Sequence, residues 1–202
     1  MPETREVRVG LPEQETTGAI LSAPLGTAIP DLTDITKDGI DYNSAFTGNE
    51  YVSEDGLTLT PTMNTTDIKD WSGATVRKLI SSFDGTLGWT MISTNENQMK
   101  LTFGEKYVTS KAATTTHGNQ VKAALGAHLP DPKTWLFLMK DGDARMVIAV
   151  PNGQITELSE VTFNPSNAVG WGVTLSTYPD ENGHNAYILT DDGQVIPVDS
   201  ES

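Results

Sequence analysis

The chain has 202 residues, enough for one ordinary domain with extensions and a real hydrophobic core. It has no cysteine, which excludes disulfides, thiolate nucleophiles and cysteine metal sites and suits synthesis in the cytosol. Its formal net charge is −14, whereas proteins that bind nucleic-acid phosphates rely on an excess of Lys and Arg. No apolar run approaches the ~20 residues of a membrane span. We therefore expect no membrane insertion. The charged N-terminus lacks the apolar core of a signal peptide, so we expect no export by that route.

Residues 1–50 differ in composition from the rest of the chain. They are rich in Gly, Pro, Thr and acids, and they show little sustained periodicity. We therefore expect an N-terminal arm over residues 1–50, followed by a folded domain over residues 51–202. A flexible tail is the alternative, because such a stretch alone buries too little apolar surface to offset its ordering entropy. Apolar residues that favour an arm docked on a partner are Ile20, Leu21, Leu25, Ile29, Leu32 and Ile35.

The stretch from Tyr51 to Ile92 predicts three strands. They are Gly56–Thr60, Trp71–Ile80 and Thr86–Ile92, and Gly73 marks a possible bulge in the second. Alternation in the third strand places three large apolar residues on one face: Leu87, Trp89 and Met91.

One helix is predicted, over Ser93–Gly104. Ser93 as N-cap with Glu96 three residues later forms a capping-box pattern, and Gly104 suits the C-terminal cap. Glu96 and Lys100 are spaced to form an ion pair on the exposed side. Residues 119–125 are flanked by Gly118 and Gly126, and we predict a loop there, with a second short helix as the alternative.

The second half of the chain, from Trp135 to Val198, has the pattern of short strands joined by tight turns. Asn-Gly and Asp-Gly pairs supply the positive φ angles that hairpins need. In the stretch Val169–Ser176, large apolar residues alternate with Gly, Thr and Ser, which indicates one core face and one small polar face. Glu157 and Glu160 are both predicted to lie on a strand of this meander.

The sequence of this half resembles one protein family. The matching pieces, in order, are Asp141–Arg145 (DGDAR), Pro151–Glu157 (PNGQITE), Glu160–Phe163 (EVTF), Val169–Leu175 and Tyr178–Asp180 (YPD). The first half adds Ala23–Thr27, Tyr51–Thr60, Thr65–Lys78 and Ser93–Gly104. In this order the chain, from about Leu21 to Gly193, resembles the major tail tube proteins of long-tailed, siphovirus-type phages, especially those of actinobacteria.

The resemblance implies a mainly β fold of two packed antiparallel sheets, a sandwich or partial barrel, with one flanking helix. It implies hexameric rings that stack into a hollow tail tube, assembled in the host cytoplasm and incorporated in the virion. Implied partners are further copies of the chain, a tape-measure protein, a tail terminator, tail-tip or hub proteins, and double-stranded DNA that passes without specific binding. On this basis the six apolar arm residues are candidate inter-ring contacts, and Glu157 and Glu160 are candidates for the lumen wall.

The sequence gives little support for catalysis, metal binding or phosphate binding. The three histidines are far apart, and no metal-ligand spacing, nucleophile elbow or phosphate-binding glycine pattern occurs. We expect no catalytic residue, no metal and no cofactor, and hence no enzyme. The alternatives that remain are a contractile-tail or secretion-system tube subunit, and a non-polymerising β-sandwich module for capsid decoration or receptor binding.

Overall fold

The fold is known from a computed structural model that describes residues 11–12, 19–36, 38–48, 51–166 and 168–196. The expectations for residues 1–10, 13–18, 37, 49–50, 167 and 197–202 lie outside the described residues. The strands are β1 (Leu11–Pro12), β2 (Ile20–Pro24), β3 (Ile35–Thr36), β4 (Gly39–Ile40), β5 (Val52–Lys69), β6 (Thr75–Met91), β7 (Val108–Lys111), β8 (Gln120–Ala123), β9 (Lys133–Asp141), β10 (Ala144–Leu158), β11 (Trp171–Thr177) and β12 (Tyr187–Asp191). The one α-helix among the described residues is α1 (Glu96–Phe103).

Strand β10 is shared by two antiparallel sheets. Its first half pairs with β9 and β12, and β9 pairs in turn with β2. After an irregularity between Val150 and Gly153, its second half pairs with β11, which continues to β6 and β5. We call the first group the covered sheet and the second the bare sheet. The mainly β prediction, with packed antiparallel sheets and one helix, is confirmed.

The two sheets pack face to face through aromatic side chains. Trp89 of the bare sheet contacts Trp135 and Phe137 of the covered sheet, with ring centroids 5.6 and 5.5 Å apart. The Trp135 indole N–H donates to the Gly153 carbonyl oxygen at 3.0 Å, which ties the core to the bend of β10. The predicted row of Leu87, Trp89 and Met91 lies on the core face, as alternation requires.

The outer face of the covered sheet packs against the segment 29–47. Ile35 and Phe46 of this segment are buried against Leu136, Val147 and other residues of the sheet. Strand β2 contributes to both faces, because Ile20 lies in the inter-sheet core and Leu21 in this second core. The described residues of 19–36 and 38–48 therefore pack on the same body as strands β6, β9 and β10. The division of the chain at residue 50 stays a prediction.

The stretch from 52 to 91 forms two long strands where the sequence predicted three. β5 and β6 pair along almost their whole length and are joined by a turn at residues 70–74. Gly73 has φ 86° and lies in this turn, so the bulge predicted there is wrong. The register shifts lie instead between Val52 and Leu57, between Asn64 and Thr65, and between Ile68 and Lys69.

The helix is present, with its N-cap two residues later than predicted. The Asn95 side chain accepts a hydrogen bond from the Gln98 backbone N–H at 2.8 Å, whereas the Ser93 hydroxyl accepts one from the Tyr51 N–H. The Ser93 capping box is therefore wrong. The predicted C-cap at Gly104, with φ 91°, and the ion pair between Glu96 and Lys100 at 2.6 Å are confirmed.

Two smaller predictions are corrected by the structure. Residues 120–123 form strand β8, not a loop. Strand β10 ends at Leu158, so residues 160–163 form no strand and Glu160 follows the sheet in irregular backbone.

The tryptophans provide a stability test. Replacing buried Trp89 with alanine removes the contacts that join the sheets, and we expect a loss of about 3–5 kcal/mol in the free energy of unfolding. Trp71→Ala is the matched control, because the Trp71 side chain is fully exposed and its loss should change stability by less than about 0.5 kcal/mol. Urea unfolding of the monomer followed by circular dichroism measures both. Equal losses would contradict this description of the core.

Candidate assembly surfaces

The distal part of the β5–β6 ribbon projects beyond the packed body. Every residue from 60 to 84 is exposed, although the root of the ribbon packs in the core through Leu57, Leu59 and Leu87. A two-stranded ribbon without a covering layer is at best marginally stable on its own. We call residues 60–84 the projecting hairpin.

The projecting hairpin carries apolar side chains on both faces. Residues opposite one another in an antiparallel pair share a face. Met63 pairs with Phe83 on the face that continues the core row, and Leu79 pairs with Thr66 on the other face. The large apolar side chains that are at least two-fifths exposed here are Met63, Ile68, Trp71, Val76, Leu79, Ile80 and Phe83. Such a cluster is typical of a surface that another protein covers.

A carboxylate organises the hairpin tip. Asp70 Oδ1 accepts hydrogen bonds from the Ser72 hydroxyl at 2.6 Å and from the Ser72 and Ala74 backbone N–H groups at 2.9 Å. The Ser72 hydroxyl is the main cause that lowers the pKa of Asp70 below its ordinary value, and the Ala74 N–H adds to it. The turn so held presents Trp71 to solvent. Sequence analysis placed Trp71 on a strand and missed this role, although the D-x-S-G-A spacing is that of an Asx turn.

The outer face of the bare sheet is small and hydroxyl-rich. From β5 to β10 its residues are exposed or half-buried except for the buried Gly172, and Thr156 and Ser176 hydrogen-bond to each other across strands at 2.7 Å. Members of this face by register are Thr58, Thr60, Thr62, Asp84, Thr86, Gly88, Thr90, Gln154, Glu157, Gly172, Thr174 and Ser176, and Thr156 joins them through its hydrogen bond to Ser176. None of them is Lys, Arg or a large apolar residue. The polar side of the alternation after Val169 is thus confirmed as part of a wider surface.

The two lumen candidates occupy different places. Glu157 pairs with Thr174 and belongs to the hydroxyl-rich face, where Asp84 is a second carboxylate. Glu160 lies beyond the end of β10 and is exposed. Their predicted placement on one strand therefore holds for Glu157 and is wrong for Glu160.

The six apolar residues that were predicted to contact a neighbouring copy fall into a buried group and an exposed group. Ile20, Leu21 and Ile35 are buried in the subunit's own cores, and Ile29 packs against the second core. Leu25 and Leu32 are 51% and 63% exposed and so remain available for contact with a neighbour. The sequence pattern could not separate the two groups, since both are apolar residues in an irregular stretch.

Comparison of this chain with known protein families identifies the family to which it belongs. A family model described as "Phage tail tube protein" matches residues 14–198. The chain belongs to the phage tail tube protein family. This confirms the resemblance at the level of the tail tube, places the protein among virion components, and makes it a member of a structural family, not an enzyme family. No curated protein matches the chain.

Two further observations concern this tail tube family member. Within the described ranges, no cluster of three or more His, Asp or Glu residues is arranged to hold a metal ion. Among the same residues, no helix has the length and apolar character to cross a membrane.

The Asp70 turn gives a pH prediction. A lowered pKa in the folded state means that the charged carboxylate stabilises the tip above the unfolded pKa, and that this stabilisation is lost as pH falls through the folded pKa. We expect the Ser72 and Ala74 amide NMR resonances to titrate with a midpoint below the ordinary Asp value of 3.8. Asp70→Asn should remove that titration. A midpoint at or above 3.8 in the native protein would contradict the hydrogen-bonded turn.

Proposed function

We propose that this protein is the tail tube subunit of a long-tailed phage, that it assembles into hexameric rings, and that the stacked rings form the channel for DNA delivery. Assembly would take place in the host cytoplasm, with a tape-measure protein, a terminator and tail-tip proteins setting the length and ends. Family membership supports the tube, and the ring number and partners follow from the resemblance described above.

The projecting hairpin is the observation that carries this proposal. Its apolar side chains lie on both faces and at the tip, so one flat partner surface cannot cover them all. Insertion between neighbouring copies covers both faces. Strand β5 is also an 18-residue edge strand, since it pairs only with β6 among the described strands. In a ring of copies, a neighbouring edge can complete its hydrogen bonds, which removes the hazard of an open edge.

The hydroxyl-rich face is our candidate for the lumen wall. DNA slides over a wall only if no group holds its phosphates, and the strongest phosphate ligands in proteins are Lys and Arg. This face has neither, while Glu157 and Asp84 repel phosphate. The outer face of the other sheet is already covered by residues 29–47. The bare sheet thus offers a broad polar surface that needs no protein partner.

The alternatives differ in what they require of the hairpin. A contractile-tail or secretion-system tube would use the same surfaces and would be accompanied by a sheath. A decoration or receptor-binding module would form small closed oligomers, and its hairpin would contact a foreign protein. Negative-stain electron microscopy over a concentration series separates the second alternative: uniform hollow rings or tubes support the proposal, and discrete small particles at every concentration contradict it.

Shortening the hairpin tests its role in assembly. Replacement of residues 65–81 by Asn-Gly retains the core root and, because Asn64 pairs with Ser82, closes the strands with a favoured two-residue turn. We expect soluble folded subunits with native-like circular dichroism and no rings or tubes. Thr66→Ser, a mild change on the same hairpin, is the control and should assemble normally. Tubes of normal width from the shortened chain would refute the assembly role.

If the hydroxyl-rich face lines the lumen, a positive charge added to it should retain DNA and a negative charge should not. Thr174→Lys places a cation on the hydroxyl-rich face, and tubes of this variant should retain short double-stranded DNA in a co-sedimentation assay. Retention should fall steeply as salt is raised, because it depends on counterion release. Thr174→Glu tests the same position with the opposite charge and should retain none. Equal behaviour of the two variants would remove Thr174 from the lumen.

A further inference from the structure

The chain contains two Asn-Gly pairs, a sequence in which the asparagine amide is chemically unstable. They are Asn152-Gly153 and Asn182-Gly183. In such a pair the backbone nitrogen of the glycine attacks the side-chain carbonyl carbon of the asparagine, ammonia leaves and a cyclic imide forms. Water then opens the imide to aspartate or to isoaspartate, in which the main chain runs through the side-chain carbonyl. Both pairs have the same reacting groups, so the surrounding structure determines which one reacts.

Packing around Asn152 prevents the reaction at the first pair. Asn152 lies in strand β10, and its side-chain oxygen is buried. The Asn152 carbonyl oxygen accepts a hydrogen bond from the Tyr178 N–H at 2.8 Å, and the Gly153 carbonyl oxygen accepts one from the Trp135 indole at 3.0 Å. A Cβ on Gly153 would lie 3.0 Å from side-chain carbons of Leu175 and Trp135. Rotation of this backbone would therefore disrupt the inter-sheet core, which opens rarely.

Asn182 lies in the turn that connects β11 to β12. Asn182 and Gly183 are both exposed, and Gly183 has φ 80°. No neighbouring group lies within 4 Å of the position that a Cβ on Gly183 would occupy. The attack requires a rotation of the backbone that brings the Gly183 nitrogen to the Asn182 side chain. Here that rotation moves the chain into solvent and leaves the core intact.

Hydrogen bonds around Asp180 restrain this turn. Asp180 Oδ1 accepts from the Asn182 and His184 backbone N–H groups, each at 2.9 Å, and Oδ2 accepts from the Tyr187 hydroxyl at 2.6 Å. The Gly183 N–H donates to the Asp180 carbonyl oxygen at 3.0 Å, and the Asn182 side chain also interacts with the Asp180 carboxylate and the Tyr187 hydroxyl. None of these residues is buried. Their bonds can be exchanged for bonds to water, which costs less than opening the core.

We propose that the folded subunit modifies itself at Asn182, through opening of the turn held by Asp180, whereas Asn152 keeps its amide. The products carry a carboxylate next to Asp180 and Glu181, which adds a negative charge to a chain of net charge −14. Isoaspartate also lengthens the main chain, which displaces the N–H groups that bind Asp180. The anchoring of Tyr187, which packs against the second core, is thereby weakened. The reaction needs only water and does not depend on the proposed function.

Peptide mapping by mass spectrometry tests the proposal. The full-length native protein is incubated at mildly alkaline pH, and the conversion of amide to acid at Asn182 and Asn152 is followed with time. The ratio of the two rates in guanidinium chloride gives the reference without a fold. We expect the ratio in the folded protein to exceed this reference about tenfold or more, because a surface turn opens more often than a packed strand. Equal ratios in the two conditions, or an unmodified Asn182 in the folded protein while the unfolded chain reacts, would overturn the proposal.

Two variants test the route. Tyr187→Phe removes the hydroxyl that binds Asp180 and keeps the ring on the second core. The turn should open more often, so the rate at Asn182 should rise about threefold with no change at Asn152. Asn182→Gln is the matched control, because it retains the amide but must close a larger ring, and it should stay unmodified. An unchanged rate in a folded Tyr187→Phe variant, or conversion of Gln at the native rate, overturns imide formation through this turn.

Discussion

The packing of Trp89 against Trp135 and Phe137 is the contact on which the other features depend. It joins the bare sheet to the covered sheet, and it lies at the root of the β5–β6 ribbon. Because the inner face of the bare sheet is fully occupied by this core, the outer face needs no apolar residues and can be lined with hydroxyls. Because the root of the ribbon is buried, the hairpin can extend well beyond the body while its strands remain in register.

Exposed apolar side chains and exposed hydroxyl groups lie on separate surfaces of the subunit, an arrangement that a monomeric protein would not need. Apolar side chains that the subunit's own core cannot cover are concentrated on the projecting hairpin. The hydroxyl-rich face has no Lys or Arg. In the tube that we propose, the hairpin inserts between copies, and the hydroxyl-rich face lets DNA pass freely.

Sequence reasoning succeeded where local periodicity decides the structure. Alternation placed Leu87, Trp89 and Met91 on the core face, and Gly104 and the Glu96–Lys100 pair were found from helix rules. It failed where competing local signals or tertiary contacts decide. Asn95 and Ser93 are both good caps, and only packing selects between them. The strand predicted over Gly56–Thr60 continues past Pro61 in the structure, because an edge strand tolerates proline.

The surfaces were harder to predict than the fold. Ile20 and Leu25 look alike in sequence, and only the pairing of β2 with β9 shows that Ile20 is used inside the subunit. Lys111 and Lys122 are far enough apart in the chain that only the β7–β8 register places them on one face.

Cryo-electron microscopy of the assembled protein, with helical reconstruction at side-chain resolution, tests the central claim most directly. The account predicts hollow tubes in which the face carrying Thr60, Thr174 and Glu157 lines the lumen and the projecting hairpin is buried between copies. A tube whose lumen is lined by the covered sheet would contradict it. So would an assembly in which Trp71 and its hairpin remain exposed to solvent.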